Sequence, residues 1–84
     1  MDYHRLRWAS RRGMLELDLI LGPFLEKVYP DLCAEEQELF QALLRCEDQD
    51  LFNWFLNKEI PPDENLHRIV QIILSKTGLG SRNA

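Results

Sequence analysis

The residues best equipped for chemistry lie near the start of the chain, in the run Arg11-Arg12-Gly13-Met14-Leu15-Glu16. Two guanidinium groups and a carboxylate flank a point that has no side chain. A partner's backbone can approach closely there, and a guanidinium offers a planar fork of donors that fits a carboxylate or a carbonyl. The same residues also have a purely structural reading. Gly13 falls between two helices, where a positive φ is cheap, and Glu16 falls at the third position of the next helix. There its carboxylate would satisfy first-turn amides. Asp18 follows Glu16 by two residues, so the two carboxylates point to different helix faces and form no acid–base pair. Trp8, just upstream, fits either a core position or an exposed anchor.

Elsewhere the chemistry is thin. Cys33 and Cys46 stand 13 residues apart and form no CxxC pair, and neither His4 nor His67 falls at ligand spacing with them. No metal site is expected from such spacing. Cys33 lies near a helix start, where a thiolate is stabilised, but it lacks a neighbouring base and reads as inert. There is no glycine-rich phosphate loop, no nucleophile elbow and no HExxH. No catalytic constellation emerges, and the expectation is a protein that is not an enzyme.

Size and charge narrow the classes further. At 84 residues the chain fits one domain,. A domain of this size buries only about 60% of its unfolded surface, which leaves few positions for a pocket once the core is filled. A hydrophobic fraction of 45% is too high for a disordered chain,. Residues 1 to 12 carry four arginines against Asp2, a net +3, whereas the remaining 72 residues hold 6 positive and 13 negative groups, a net −7. A basic head on an acidic body gives a directional surface for a partner. It argues against nucleic acid, because the body repels phosphate. The first residues lack an apolar signal core, and no apolar run approaches the roughly 20 residues of a membrane span. Two cysteines are fewer than a small secreted domain carries. A cytoplasmic protein without membrane insertion is expected.

The elements that must position these residues read as helices. Alternating β-branched residues are absent, and apolar residues recur at helical spacing. A first helix is expected over about Tyr3 to Arg11. A second starts near Met14 and carries Leu17, Ile20, Leu21, Phe24, Leu25 and Val28, with a kink or break at Gly22-Pro23 because proline removes a backbone donor. Tyr29-Pro30-Asp31 ends it. A third helix is expected over about Ala34 to Cys46, with Leu39, Phe40, Leu43 and Leu44 inward. A fourth, short and aromatic, runs to Asn57 with Asp48 as its N-cap. Its Phe52, Trp54 and Phe55 read as core. Lys58 to Pro62 is a loop, and Asp63 caps a fifth helix with Leu66, Ile69, Val70 and Ile73 inward. Gly78 and Gly80 mark its end. The expectation is an all-α, compact five-helix bundle of one domain, ordered over about residues 3 to 77 with a frayed tail at 78 to 84.

The run Trp8-Ala9-Ser10-Arg11-Arg12-Gly13-Met14-Leu15-Glu16-Leu17-Asp18 resembles the signature of the succinate dehydrogenase flavinylation factors, also called FAD assembly factors. Pro23-Phe24 and Asp50-Leu51-Phe52-Asn53-Trp54 resemble the same family at matching positions. RGxxE alone is a weak pattern, but with the aromatic motif at this spacing it is strong, and the similarity covers about residues 5 to 75. Gln49 departs from the proline common before the aromatic helix.

The resemblance implies a five-helix assembly chaperone. Such a factor binds the flavoprotein subunit of succinate dehydrogenase, and often that of fumarate reductase, and promotes covalent attachment of FAD to a histidine there. FAD is then the cofactor of the client, with none held stably by the factor itself. The linkage chemistry belongs to the flavin and the flavoprotein, and the factor aligns them. Carried over, the motif positions Arg12, Gly13 and Glu16 become the first partner-binding residues, with Arg11, Trp8 and Asp18 as neighbours. A monomer is expected, and the absence of a mitochondrial transit segment favours a bacterial cytoplasmic form. The alternative is an antitoxin-type regulatory module that binds another protein.

Overall fold

The computed structural model describes residues 2–77. Five helices follow one another: α1 over Tyr3–Ser10, α2 over Leu15–Lys27, α3 over Ala34–Leu43, α4 over Asp48–Phe55 and α5 over Glu64–Thr77. A single 3-10 turn, Tyr29–Asp31, joins α2 to α3. Among the described residues there is no strand. The all-α bundle is as the hydrophobic spacing predicts.

Local chemistry explains where several helices start. The Asp2 carboxylate accepts from the Arg5 N–H at 2.9 Å, satisfying a first-turn donor of α1,. Asp63 does the same for α5, accepting from the N–H groups of Asn65 and Leu66 at 2.7 and 3.1 Å. At α3 the Glu36 carboxylate reaches back toward the Cys33 N–H at 3.4 Å,.

One core unites the helices. α2 lies centrally, against α1 on one side and against α4 and α5 on the other, while α3 packs on α5. Leu17, Leu21, Phe24 and Leu25 of α2 meet Phe40 and Leu43 of α3, Leu51 and Phe55 of α4, and Ile69 and Ile73 of α5. Phe40 is the hub of the aromatic part, its ring centroid 5.3 Å from Phe24 and 5.4 Å from Tyr29. Burying a side chain of this size contributes about 1.5–3 kcal/mol. Trp54 and Phe55 are buried as expected, and Phe52 is half-buried.

Three details depart from the sequence reading, and a fourth narrows it. Of the kink or break expected at Gly22-Pro23 there is no break: α2 runs as one helix through Pro23. The proline deprives only the Leu19 carbonyl of its helical donor, and Leu19 and Pro23 both lie on the solvent side, while burial of Leu21, Phe24 and Leu25 holds the helix on both sides,. α3 stops at Leu43 rather than Cys46, and the chain tightens into turns in which the Arg45 and Cys46 N–H groups donate to Ala42 and Leu43 carbonyls at 3.1 and 3.0 Å,. Asp48 is the first residue of α4 and not its cap; Glu47 holds the cap position. α4 ends at Phe55, two residues short of Asn57. The expectations for Gly78, Gly80 and the tail at 78–84 lie outside the described residues.

No helix among the described residues is long and apolar enough to cross a membrane.

Candidate partner-binding site

The short link between α1 and α2 carries the motif. α1 closes at Ser10, which is buried and donates its hydroxyl to the Arg7 carbonyl at 2.9 Å. Arg11 then turns extended, its N–H donating to the Trp8 carbonyl at 3.2 Å. Gly13 has φ +80°, and a Cβ built on it would meet nothing within 4 Å. The backbone conformation therefore calls for glycine, and the space beside it is open.

Arg12 faces inward. Its Nε donates to the Asp48 carboxylate at 2.7 Å, closing the ion pair between the two residues. One terminal nitrogen donates to the carbonyls of Ala9 and Leu44 at 2.6 and 2.9 Å, and the other to the Cys46 carbonyl at 2.5 Å. Its side chain is only 13% exposed. The Arg12 N–H also donates to the Asp18 carboxylate at 2.8 Å. One residue thus joins the end of α1, the end of α3 and the start of α4. The Leu44 and Cys46 carbonyls lie just past the end of α3 and the Ala9 carbonyl lies in the last turn of α1, and at both helix ends the dipole favours a cation,.

Glu16 lies in the first turn of α2 at the second position, one residue earlier than the spacing predicts, because Met14 serves as the N-cap. It makes no hydrogen bond or ion pair among the described residues, and its carboxylate is exposed. The capping reading of Glu16 is therefore replaced by a free carboxylate at the helix start. Leu15 and Leu19, one turn apart on the same helix, are 68% and 65% exposed. Trp8 is 76% exposed and is not a core residue. Arg11 is exposed as well, and Arg7, Trp8 and Arg11 line one shallow hollow with His4. Asp18 is half-buried and turned to the loop backbone.

The motif therefore divides. Gly13, Glu16, Arg11 and Trp8 are presented to solvent, whereas Arg12 and Asp18 are engaged within the chain. Sequence reasoning missed Asp48, which it took for a helix cap. The signal that could have found it is chemical: an inward arginine needs an anion, and Asp48 opens the helix that carries the second motif. Cys33 is exposed, while burial pushes the Cys46 thiol above its ordinary range, with the Asp50 charge adding to the rise, and leaves it protonated,.

Comparison with known proteins decides the family. The family model described as the flavinator of succinate dehydrogenase matches residues 4–77. The chain belongs to this family. Among relatives, the FAD assembly factor SdhE of Pseudomonas aeruginosa is 56% identical over 75 residues, which cover 89% of each chain. That of Shewanella oneidensis is 53% identical over 70 residues, covering 83% of this chain and 85% of the relative. That of Yersinia pseudotuberculosis is 46% identical over 72 residues, 86% and 82% of the two chains. In this family setting the matched span reaches from the start of α1 to the end of α5, so the exposed loop and the Arg12 contacts beneath it both lie within it.

Proposed function

We propose that this protein is an assembly chaperone that binds the flavoprotein subunit of succinate dehydrogenase and promotes covalent attachment of FAD to it. Family membership supports the flavoprotein as client. The observation that carries the binding site is the open, side-chain-free backbone at Gly13, bordered by the unpaired Glu16 carboxylate and the exposed Leu15 and Leu19. Such an edge admits a partner's backbone closely, offers one charge to orient it and supplies apolar area to bury. The factor contributes alignment, and the reacting groups belong to the client. In this reading FAD is the client's cofactor and is not held stably by the factor, which acts as a monomer in the cytoplasm without chemistry of its own. Fumarate reductase, with a related flavoprotein subunit, is the second client.

The test is covalent flavin fluorescence of the flavoprotein subunit in cells lacking this protein. Wild type should restore the signal, and Gly13→Arg should not. The substitution strains a φ of +80° and costs about 1–3 kcal/mol, too little to unfold most domains, so loss of rescue with a folded variant reports blocked docking,. Normal flavinylation without the protein would remove the function, and full rescue by Gly13→Arg would remove the site. A pull-down that recovers a toxin in place of a dehydrogenase flavoprotein would favour the antitoxin-type module.

A further inference from the structure

Arg12 and Glu16 belong to one short motif, yet their surroundings are opposite. Arg12 already has four hydrogen bonds from its guanidinium, and its side chain is 13% exposed. Swinging it out to meet a partner would break all four at once. It would leave the carbonyls of Ala9, Leu44 and Cys46 and the Asp48 carboxylate without this donor. A lysine could not serve in its place, because a compact ammonium cannot span acceptors that lie in several directions around a flat fork. The backbone of the same residue is held too, through the N–H bond to Asp18 at 2.8 Å. Both the side chain and the main chain of residue 12 are therefore fixed immediately before Gly13, where the chain takes φ +80°.

We propose that Arg12 is a positioning residue and not a partner contact, and that Asp48 and Asp18 complete it. The three form an internal clamp that holds Gly13 to Glu16 in the shape the flavoprotein subunit meets. The clamp also makes one unit of the two sequence motifs. Asp48 opens α4, which carries Leu51, Phe52, Asn53 and Trp54, and its ion pair with Arg12 ties that helix to the RGxxE loop 36 residues away. This inference rests on the partner-binding reading above and deepens it: Glu16 and Gly13 touch the client, and Arg12 keeps them in place.

A positioning residue and a contact residue leave different kinetic traces. Loosening a clamp lowers the fraction of molecules with a competent loop, so association slows while dissociation of the formed complex is unchanged. Losing a contact chiefly speeds dissociation. The experiment measures both rates for the full chain binding the apo flavoprotein subunit, with folding of each variant checked by circular dichroism. Asp48→Ala and Arg12→Lys should each slow association about tenfold and leave dissociation within about twofold. Asp48→Asn keeps an acceptor oxygen and should recover most of the loss. The Arg12→Lys/Asp48→Ala double variant should be little worse than either single one, since both break the same clamp. Faster dissociation with unchanged association would overturn the proposal and make Arg12 a contact.

A second arm needs no partner. In the free protein, the Arg12 amide should lose protection from hydrogen exchange in Asp48→Ala. Unchanged protection would also overturn the clamp. If wild type fails to bind the flavoprotein subunit at all, the functional reading fails, while the exchange arm still decides the clamp.

Discussion

Helices α2 and α5 have nearly equal lengths, 13 and 14 residues, and both pack into the same core, but they treat their apolar residues differently. Every leucine, isoleucine and valine of α5 is buried or half-buried: Ile69, Val70, Ile73 and Leu74 fully, Leu66 and Ile72 in part. α2 buries Leu17, Ile20, Leu21, Phe24 and Leu25 yet leaves Leu15 and Leu19 well exposed beside Glu16 and next to Gly13. α5 is a helix whose apolar stripe is closed by its own chain. α2 has one stripe closed by the chain and a second strip left for something else. Two exposed leucines one turn apart, adjoining an open glycine, form the side of α2 on which the proposed docking rests,.

The largest expected effect tests the closed side of that contrast. Ile73→Ala removes a fully buried side chain from α5 and should cost about 2–5 kcal/mol, with Phe40→Ala in the same range because its ring sits between Phe24 and Tyr29,. Urea unfolding measures both. At roughly 0.05–0.15 kcal/mol per residue the whole stability of such a domain is only about 4–13 kcal/mol, so either variant should lose a large share of it and melt well below wild type. A loss below about 1 kcal/mol at Ile73 would mean the core collapses around the gap, and the stripe of α5 would not be closed by tight packing.

The open side should behave in the opposite way. Leu15→Ser and Leu19→Ser remove apolar area that faces solvent, so stability should stay within about 0.5 kcal/mol of wild type,. Affinity for the flavoprotein subunit should fall about tenfold for each, as for an apolar side chain at an interface. If instead both variants melt early and bind normally, the strip on α2 is part of the fold and the contrast with α5 disappears.

The sequence made the packing legible and left the polar interior hidden. Helical spacing located α5 closely, because Leu66, Ile69, Val70 and Ile73 repeat on one face and Asp63 is a strong cap. It also gave α1 to within a residue. It overran α3 by three residues and α4 by two, and at α3 the reason is visible. Leu43, Leu44 and Cys46 continue the apolar pattern, but the turns at Arg45 and Cys46 end the helix, and the Leu44 and Cys46 carbonyls are taken by Arg12, which lies more than 30 residues earlier. Nothing local announces that bond. The same long-range contact explains why Asp48 resembled a cap: an acidic residue at a helix start fits either role, and only the arrival of Arg12 chooses. Within the motif, spacing identified which residues stand together but could not say which way they face. Exposure separated Gly13 and Glu16 from Arg12.

The smallest effect concerns α1, which packs on α2 and buries only Leu6 and Ser10. With so little burial, its start depends on the Asp2 cap. The N–H bond from Arg5 holds the Asp2 carboxyl below its ordinary 3.8, and the Arg5 charge adds to the effect,. A depressed folded-state value means that the ionised form stabilises the helix. That contribution is fully present above the unfolded value and disappears as pH falls through the lower, folded one. The Arg5 amide resonance should therefore move with a midpoint below 3.8, while the amides of Ile69 to Ile73 stay still over the same range. Asp2→Asn should leave the α1 start insensitive to pH in that window. A midpoint at or above 3.8 would mean that the cap is not formed in solution. In that case the basic face of α1, with Arg7, Trp8 and Arg11, would be ordered by the partner and not beforehand.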